Sequence, residues 1–234
     1  MSVEAEAWVV DLELADNSVQ DLDFFTSMSE KARAARLRRP MDRQRFSRGR
    51  AALRQILARR TGIAPQHLDI IPDASGRPHL QGIDHLDFNC SRTGSFAVIA
   101  LSQGCRLGID IEQRRDDFPC RQMAHTFFSA SENATLSRLP DECHTAGFFQ
   151  AWVSKEACVK AWGMGLSLPL AAFDVEADPA RRPALLEHRP GDAPLWLYPL
   201  TGPAHHVVAL AADRPLRRID VNHVSLSDLC RPVP

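Results

Sequence analysis

The chain has 234 residues, of which 44% are hydrophobic and 24% charged, and its formal net charge is −1. These values are ordinary for folded globular proteins and exclude a disordered, collagenous or coiled-coil chain. No stretch approaches 18 uninterrupted apolar residues, and the first residues, MSVEAEAWVV, lack a basic region. The sequence therefore predicts neither a membrane span nor a secretory signal.

The six cysteines never form a C-x-x-C pair. Together with the missing signal, this spacing indicates reduced thiols in a reducing compartment, for which we expect the cytoplasm. A zinc site and a disulfide framework are both disfavoured.

Charge is unevenly distributed over the first sixty residues. Residues 1–30 hold eight acids and no Lys or Arg, whereas residues 31–60 hold twelve basic residues and one acid, Asp42, a net charge of +11. Nearly all of these bases are arginine, whose planar guanidinium suits phosphate. The segment is either a solvated helix face or a site for a phosphorylated ligand, nucleic acid or an acidic protein.

The predicted elements are short strands interspersed with helices, which is typical of an α+β protein. Helices are predicted over 28–60, broken near Pro40, from the S-x-x-E capping box at Ser129 onward, and over 145–162. Strands are predicted over 7–14, 85–91, 95–102, 106–112, 173–177, 195–200 and 206–212. The last twenty residues, which are rich in proline, are predicted to form a loose tail.

A faint internal repeat links the two parts of the chain. At an offset of 109 residues, a strand pattern beginning at Leu86 matches one beginning at Leu195, and at 106 residues Ala51 matches Ala157. The match reflects either shared helix and strand composition or two similar halves of about a hundred residues each.

Asp110 and Glu112 stand two residues apart on a predicted strand, so they share one face while Ile109 and Ile111 occupy the other. Two carboxylates in this arrangement suit Mg²⁺, which binds a few carboxylates together with waters and phosphates. They would equally suit the exposed polar face of an edge strand.

The segment SKEACVK places Glu156 and Lys160 on one face of a predicted helix, four residues apart. They form either a surface ion pair or, since the flanking residues are aromatic and apolar, charges directed into a cleft. The turns at Arg77 and at Ser91-Arg92 are ordinary loops by themselves. Combined with the arginines of residues 31–60, they could hold several phosphates.

These segments, in this order, resemble the Sfp-type (surfactin-synthetase-activating) 4′-phosphopantetheinyl transferases. The family pattern G-[IV]-D-[IVL]-E, F-x-x-x-E and W-x-x-K-E-[AS]-x-x-K occurs complete, and GRPHL and FNCSRTG resemble two upstream motifs. The resemblance covers about residues 40–212. The matching positions are Gly108, Asp110, Glu112, Phe128, Glu132, Trp152, Lys155, Glu156, Ala157 and Lys160.

The resemblance implies an α+β fold of two pseudo-symmetric halves, each a small antiparallel sheet packed with helices, with the active site between them. It implies an N-terminal half over 1–105, a C-terminal half over 106–213, a tail over 214–234, and a monomer rather than the trimer of the family's shorter group. It also implies transfer of the phosphopantetheine arm of coenzyme A to a serine of an acyl or peptidyl carrier protein, leaving 3′,5′-ADP. The carrier is expected to be acidic and helical; neither nucleic acid nor a membrane is an expected partner.

The resemblance also implies roles for single residues. Asp110, Glu112 and Glu156 would bind Mg²⁺, with Mn²⁺ equally compatible with oxygen ligands. Glu156 would also act as general base, and Lys160 would neutralise the diphosphate of coenzyme A. Lys155 would either contact coenzyme A or point to solvent, and Glu132 would be mainly structural. The remaining coenzyme A contacts would be Arg45, Arg77, Ser91 and Arg92.

One position departs from the family, which usually has His where this chain has Arg92. Both side chains can contact phosphate, but only histidine can carry a proton near neutral pH. Two other functions remain open: a coenzyme A-binding or carrier-docking protein without activity, and a Mg²⁺-dependent nuclease. The nuclease pattern E-x-K is not met, because Gln113 and Arg114 follow Glu112.

Overall fold

The computed structural model describes residues 3–13, 22–188 and 192–231. Its α-helices are α1 (Met28–Ala35), α2 (Pro40–Thr61), α3 (Cys120–Phe127), α4 (Ala130–Arg138), α5 (Asp141–Trp162) and α6 (Leu226–Cys230). Its strands are β1 (Val3–Asp11), β2 (Ile70–Pro72), β3 (Pro78–Leu80), β4 (Leu86–Thr93), β5 (Phe96–Gln103), β6 (Leu107–Gln113), β7 (Asp174–Val175), β8 (Leu185–Glu187), β9 (Trp196–Leu200), β10 (His206–Ala212) and β11 (Leu216–Ser225). Residue 14, the end of the first predicted strand, lies outside the described residues.

The two longest helices begin and end as their sequences indicate. The predicted break near Pro40 is confirmed, because Pro40 takes the first position of α2, where a missing backbone N–H costs nothing. Both α2 and α5 have 22 residues, and each ends at a glycine in the left-handed conformation, Gly62 at φ 73° and Gly163 at φ 72°. Helix α5 starts at Asp141, earlier than predicted. None of the described helices is long and apolar enough to cross a membrane.

Two main sheets form the centre of the molecule. The first has the strand order β11-β1-β5-β4 and the second the order β6-β10-β9. Strands β1, β5 and β4 pair antiparallel, as do β6, β10 and β9, so the two sheets share one three-stranded arrangement.

The C-terminal segment corrects two predictions. Strand β11 pairs in parallel with β1 along its whole length, so residues 216–225 are not a loose tail and the first sheet is not purely antiparallel. Proline at position 215 precedes the strand and does not interrupt its hydrogen bonds. Helix α6 then buries Leu226 and Leu229 in the same core as α2. The predicted boundaries at 105 and 213 stay predictions, while the segment after 213 belongs to the first sheet.

The main body has four layers, and an apolar core lies between each layer and the next. Leu57 of α2 packs with Ile99 of the first sheet, Val98 of that sheet packs with Ile109 of the second, and Ala157 of α5 packs on the outer face of the second sheet. Strand β5 is apolar at nearly every position because both of its faces are covered. The order is therefore helix, sheet, sheet, helix.

Helix α5 lies unusually close to β6. A Cβ atom on Gly108 would stand 2.0 Å from the backbone oxygen of Ala157 and 2.5 Å from the nitrogen of Ala161. Only glycine permits this approach. The close contact brings the charged residues of α5 beside those of β6.

Candidate functional site

The two sheets meet along a polar seam between β4 and β6. Strand β4 directs alternate side chains at β6, and the first two bind its backbone: the Asp87 carboxylate accepts from Leu107 N at 2.7 Å, and Asn89 Oδ1 accepts from Ile109 N at 3.0 Å. These strands do not pair through their backbones. Side chains of β4 therefore satisfy edge N–H groups of β6 that would otherwise be buried without a partner.

The same alternation continues into the predicted site. Ser91 donates to Asp110 Oδ1 at 2.6 Å, and Thr93 donates to Glu112 Oε2 at 3.2 Å. From α5, Lys160 Nζ reaches Asp110 Oδ1 at 2.6 Å, Ser91 Oγ at 2.9 Å and the backbone oxygen of residue 109 at 3.1 Å. The structure thus joins three predicted site residues, Ser91, Asp110 and Lys160, in one network.

Asp110 is the buried centre of this network. The residue is 4% exposed, and its Oδ2 atom has no hydrogen-bond partner among the described residues. A buried carboxylate oxygen without a donor is costly in a folded protein. This oxygen is therefore positioned to accept a ligand.

The negative charge of Asp110 affects the pKa of two glutamates, Glu112 and Glu156. Burial, and after it the negative charge of Asp110, raises the pKa of each of the two carboxyls above its usual range. Lys160 opposes both shifts. Asp110 therefore repels each of the two glutamates, and a bound cation would relieve that repulsion.

As the side chains are placed, no group of three His, Cys, Asp or Glu within the described ranges is ready to hold a metal ion. The donor chemistry nevertheless fits a hard divalent cation: three carboxylates, one with a free buried oxygen, beside a protonated lysine. Binding would require the two glutamates to move toward Asp110.

Arg77 is placed differently from its prediction. Its side chain is buried, and both terminal nitrogens already donate to protein oxygens, those of Asp87, Phe88, Leu107 and Lys160. This position does not support the predicted phosphate contact, because both terminal nitrogens are directed at protein oxygens.

Arg45 and Arg92 have the surroundings expected of anion-binding residues. Burial, and after it the charge of Arg45, lowers the pKa of Arg92, while Asp42 opposes the shift, so the two guanidinium groups lie near each other. Within the part of the chain that the structure describes, neither forms an ion pair or a side-chain hydrogen bond. Arg92 packs across α2 where Gly49 leaves room, with its Cδ atom 3.4 Å from the place of a Cβ. Two adjacent cations that form no ion pair among the described residues favour an anion between them.

Lys155 is also placed differently from its prediction, which was a contact with coenzyme A or a side chain that points to solvent. Its side chain is 0% exposed, its Nζ atom is 2.7 Å from Glu132 Oε1, and it also donates to the backbone oxygens of Leu170 and Phe173. It lies 4.1 Å from the ring centroid of Phe173. A fully enclosed ammonium does not point to solvent, and these contacts do not support the predicted coenzyme A contact, so we infer a structural role for Lys155.

The predicted structural role of Glu132 is confirmed. Ser129 N donates to Glu132 Oε2 at 2.9 Å, while Glu132 N donates to Ser129 Oγ at 3.1 Å, which forms the predicted capping box. The other carboxylate oxygen binds Lys155 and accepts from Val175 N at 2.9 Å. One carboxylate therefore starts α4 and anchors α5.

A cavity of about 220 Å³ opens beside Lys160. It is lined by Ser75, Gly76, Arg77, Pro78, Asn89, Cys90, Val159, Lys160, Gly163 and Gly165. The cavity thus lies between the turn before β3, strand β4 and the end of α5.

The sequence reasoning missed Asp87, Asn89 and Thr93, which build the seam. The signal was present, because polar residues alternate along LDFNCSRT, which includes most of the strand predicted over 85–91. Alternation alone does not say whether such side chains face water or another strand.

Comparisons with known proteins identify the family of the chain. A family model described as the 4′-phosphopantetheinyl transferase superfamily matches residues 106–211. The 4′-phosphopantetheinyl transferase HetI of Nostoc sp. is 33% identical over 202 residues, which cover 85% of this chain and 84% of that protein. The 4′-phosphopantetheinyl transferase psf-1 of Bacillus pumilus is 31% identical over 68% of this chain and 67% of its own. Sfp of Bacillus subtilis is 27% identical over 64% and 66%.

Among solved structures, the holo-[acyl-carrier-protein] synthase of Thermotoga maritima matches 45% of this chain and 61% of its own, with 19% identity. Its TM-score of 0.37 is too low to establish a shared fold. The sequence relatives decide the assignment. The chain belongs to the 4′-phosphopantetheinyl transferase superfamily and is a transferase of the Sfp/HetI type.

Proposed function

We propose that the protein transfers the 4′-phosphopantetheine arm of coenzyme A to a serine hydroxyl of an acyl or peptidyl carrier protein and releases 3′,5′-ADP. The observation that carries the proposal is the buried Asp110, held by Lys160 and Ser91 beside two glutamates of raised pKa. Phosphoryl transfer is mostly positioning and charge neutralisation, and this cluster offers both.

Asp110, Glu112 and Glu156 would hold Mg²⁺ or, with the same donor chemistry, Mn²⁺. When bound, such a cation neutralises charge on the diphosphate and on the leaving phosphate. The free Oδ2 atom of Asp110 supports this role. The raised pKa values of the two glutamates support it as well, since burial and, after it, the charge of Asp110 disfavour their ionised forms, which a bound cation would favour.

Glu156 is the proposed general base for the carrier serine. Its raised pKa brings it closer to the working pH, which improves a base as long as the carboxyl remains ionised. Lys160 lies one helical turn further along α5, where its ammonium group holds Asp110 in place. With coenzyme A bound, the same ammonium would face the diphosphate as a point charge.

Arg45 and Arg92 are the proposed contacts for the phosphates of coenzyme A. Their proximity, and the absence of any ion pair from either to another described residue, support this role. Ser91 stands next to Arg92 on β4 and already belongs to the Asp110 network. The cavity beside Lys160 is the proposed place for part of the nucleotide.

The proposed active site lies between two related halves, over about 1–105 and 106–213. The shared strand order of the two main sheets and the equal lengths of α2 and α5 support this organisation. Strand β11 breaks the relation, because it is added to the first sheet only. One molecule supplies all the proposed site residues, which is compatible with a monomer.

An acidic, helical carrier is the proposed partner, attracted by the arginines of residues 31–60. Several of these side chains are exposed around the end of α1 and the start of α2: Arg33, Arg36, Arg38, Arg39 and Arg43. Opposite charges accelerate encounter between proteins without requiring fixed contacts.

Intact-protein mass spectrometry tests the proposal. The protein is incubated with coenzyme A, Mg²⁺ and an apo carrier, and the carrier is expected to gain the mass of one phosphopantetheine group. A carrier with its acceptor serine replaced by alanine should stay unmodified. If coenzyme A binds and no panel of carriers gains mass, the protein is a binding module and the proposal is wrong. Cleavage of nucleic acid would instead favour the nuclease alternative.

A further inference from the structure

Arg77 joins three elements that meet at the seam. Its Nη1 atom donates to the backbone oxygen of Lys160 on α5. Its Nη2 atom lies 2.7 Å from Asp87 Oδ2 on β4, 3.2 Å from Phe88 O and 2.7 Å from Leu107 O on β6. One planar guanidinium therefore ties two sheets and a helix at a single point.

The same three elements carry the proposed catalytic network. Strand β4 supplies Ser91, β6 supplies Asp110 and α5 supplies Lys160. Lys160 is held at both ends: its carbonyl oxygen accepts from Arg77, and its ammonium group binds Asp110. The place of its ammonium group thus depends on the place at which Arg77 fixes the end of α5.

Asp87 completes the tie. Its Oδ2 atom accepts one hydrogen bond from Arg77 and another from Leu107 N, each at 2.7 Å. Asp87 therefore orients the guanidinium of Arg77 and also fixes the start of β6. Arg77 is 8% exposed and lies in the floor of the cavity beside Lys160, with its donors turned into the protein.

We infer that Arg77 and Asp87 are a positioning pair that sets the register of α5 on the seam and thereby places the ammonium group of Lys160. The inference rests on the proposed function, in which Lys160 acts on the diphosphate. A misplacement of a reacting group by about 1 Å can cost about 100-fold in rate. Because the charge that Lys160 opposes grows as the diphosphate is cleaved, a pair that acts only through Lys160 lowers kcat much more than it weakens the affinity for coenzyme A. A phosphate contact would instead raise KM for coenzyme A.

The test is a set of double-mutant cycles. Arg77→Lys keeps the charge but cannot reach three elements together, and Asp87→Ala removes the acceptor. Each is measured alone and combined with Lys160→Met, with Arg218→Lys as the control for an arginine paired to an aspartate at the surface. We expect each single variant to lower kcat about tenfold and to change KM for coenzyme A less than about twofold. In the Lys160→Met background, the further loss should be under about twofold.

Asp87→Asn is the conservative variant, because it keeps an acceptor oxygen, and it should recover most of the activity lost in Asp87→Ala. Thermal unfolding shows whether each variant is folded. If Arg77→Lys does not fold, the Asp87 variants test the inference. A raised KM with unchanged kcat, or losses that add fully in the Lys160→Met background, would overturn the inference. If Lys160→Met itself transfers at the wild-type rate, the inference is wrong while the proposed function stands. If the wild-type protein modifies no carrier, the proposed function fails first.

Discussion

Helices α2 and α5 have the same length and the same glycine ending, and each packs on a sheet that contains the same three-stranded antiparallel arrangement. Part of their charge is arranged differently. On α2, Arg50 and Arg54 bind Glu30, but Arg45 and the nearby Arg92 form no ion pair among the described residues, whereas on α5 both Lys155 and Lys160 bind carboxylates. Cations without partners attract a ligand, while paired and buried charges fix geometry. The comparison therefore predicts that changes near α2 affect binding and changes near α5 affect turnover or folding.

The largest effect should come from Glu156→Gln on α5. Removal of the proposed base and metal ligand is expected to lower kcat by about 10²- to 10⁴-fold. The matched control is Glu142→Gln, at the exposed start of the same helix, which should transfer at the wild-type rate. Carrier modification followed by mass spectrometry measures both. A Glu156→Gln enzyme of normal activity would remove this residue from the mechanism.

The second-largest effect is expected from Lys155→Met, which tests whether Lys155 has a structural role or contacts coenzyme A. Glu132 would be left charged in a closed apolar environment, at an expected cost of about 3–5 kcal/mol in the free energy of unfolding. Denaturant unfolding measures this cost. Replacing Glu132 by Gln in the Lys155→Met protein should restore part of the lost stability, because glutamine keeps the shape of glutamate and carries no charge. A normal unfolding curve together with weaker coenzyme A binding would restore the original prediction for Lys155.

Arg92 tests the binding side of the comparison. Because charged hydrogen bonds to phosphate contribute about 1.5–3 kcal/mol, Arg92→Ala should raise Kd for coenzyme A by about tenfold or more. Arg92→His should keep activity, since histidine can also contact phosphate. Arg217→Ala on β11 is the exposed control. Wild-type affinity in Arg92→Ala, measured by calorimetry, would contradict the assigned role.

A smaller effect is expected on the pH dependence of Tm, measured for the metal-free protein. The pKa of Glu156 is raised in the folded state by burial and by Asp110. The folded state therefore binds this proton more tightly than the unfolded state, and the resulting stabilisation is complete below the ordinary pKa and is lost as pH rises through the raised one. Glu156→Gln should consequently raise Tm relative to wild type at neutral pH with chelator present. The difference should vanish under acidic conditions, and a constant difference at every pH would exclude this cause.

The smallest effect is expected from salt. If the exposed arginines of α1 and α2 attract an acidic carrier, KM for the carrier should rise several-fold between about 0.05 M and 0.5 M salt, because screening shortens the range of exposed charges. The value of kcat should change less. A KM that is flat across this range would mean that the carrier is recognised without these charges.

The sequence by itself determined the local structure and the chemistry that the chain can offer. Pro40, the Ser129 capping box and the glycine after α5 set helix boundaries through backbone geometry that acts within a few residues. The spacing in GIDIE and in WVSKEACVK identified the carboxylates and Lys160. Those patterns depend only on which side chains share a face of a strand or helix.

Only the tertiary structure decided which charges are free and which are used. Lys155 and Lys160 lie on one helix five residues apart, yet one is enclosed with Glu132 and the other reaches Asp110. Arg77 and Arg92 both looked like phosphate contacts, yet one is occupied by four protein oxygens. Strand β11 looked like a tail because its partner, β1, lies about two hundred residues away. Pairings between distant segments depend on long-range packing, which local sequence patterns do not encode.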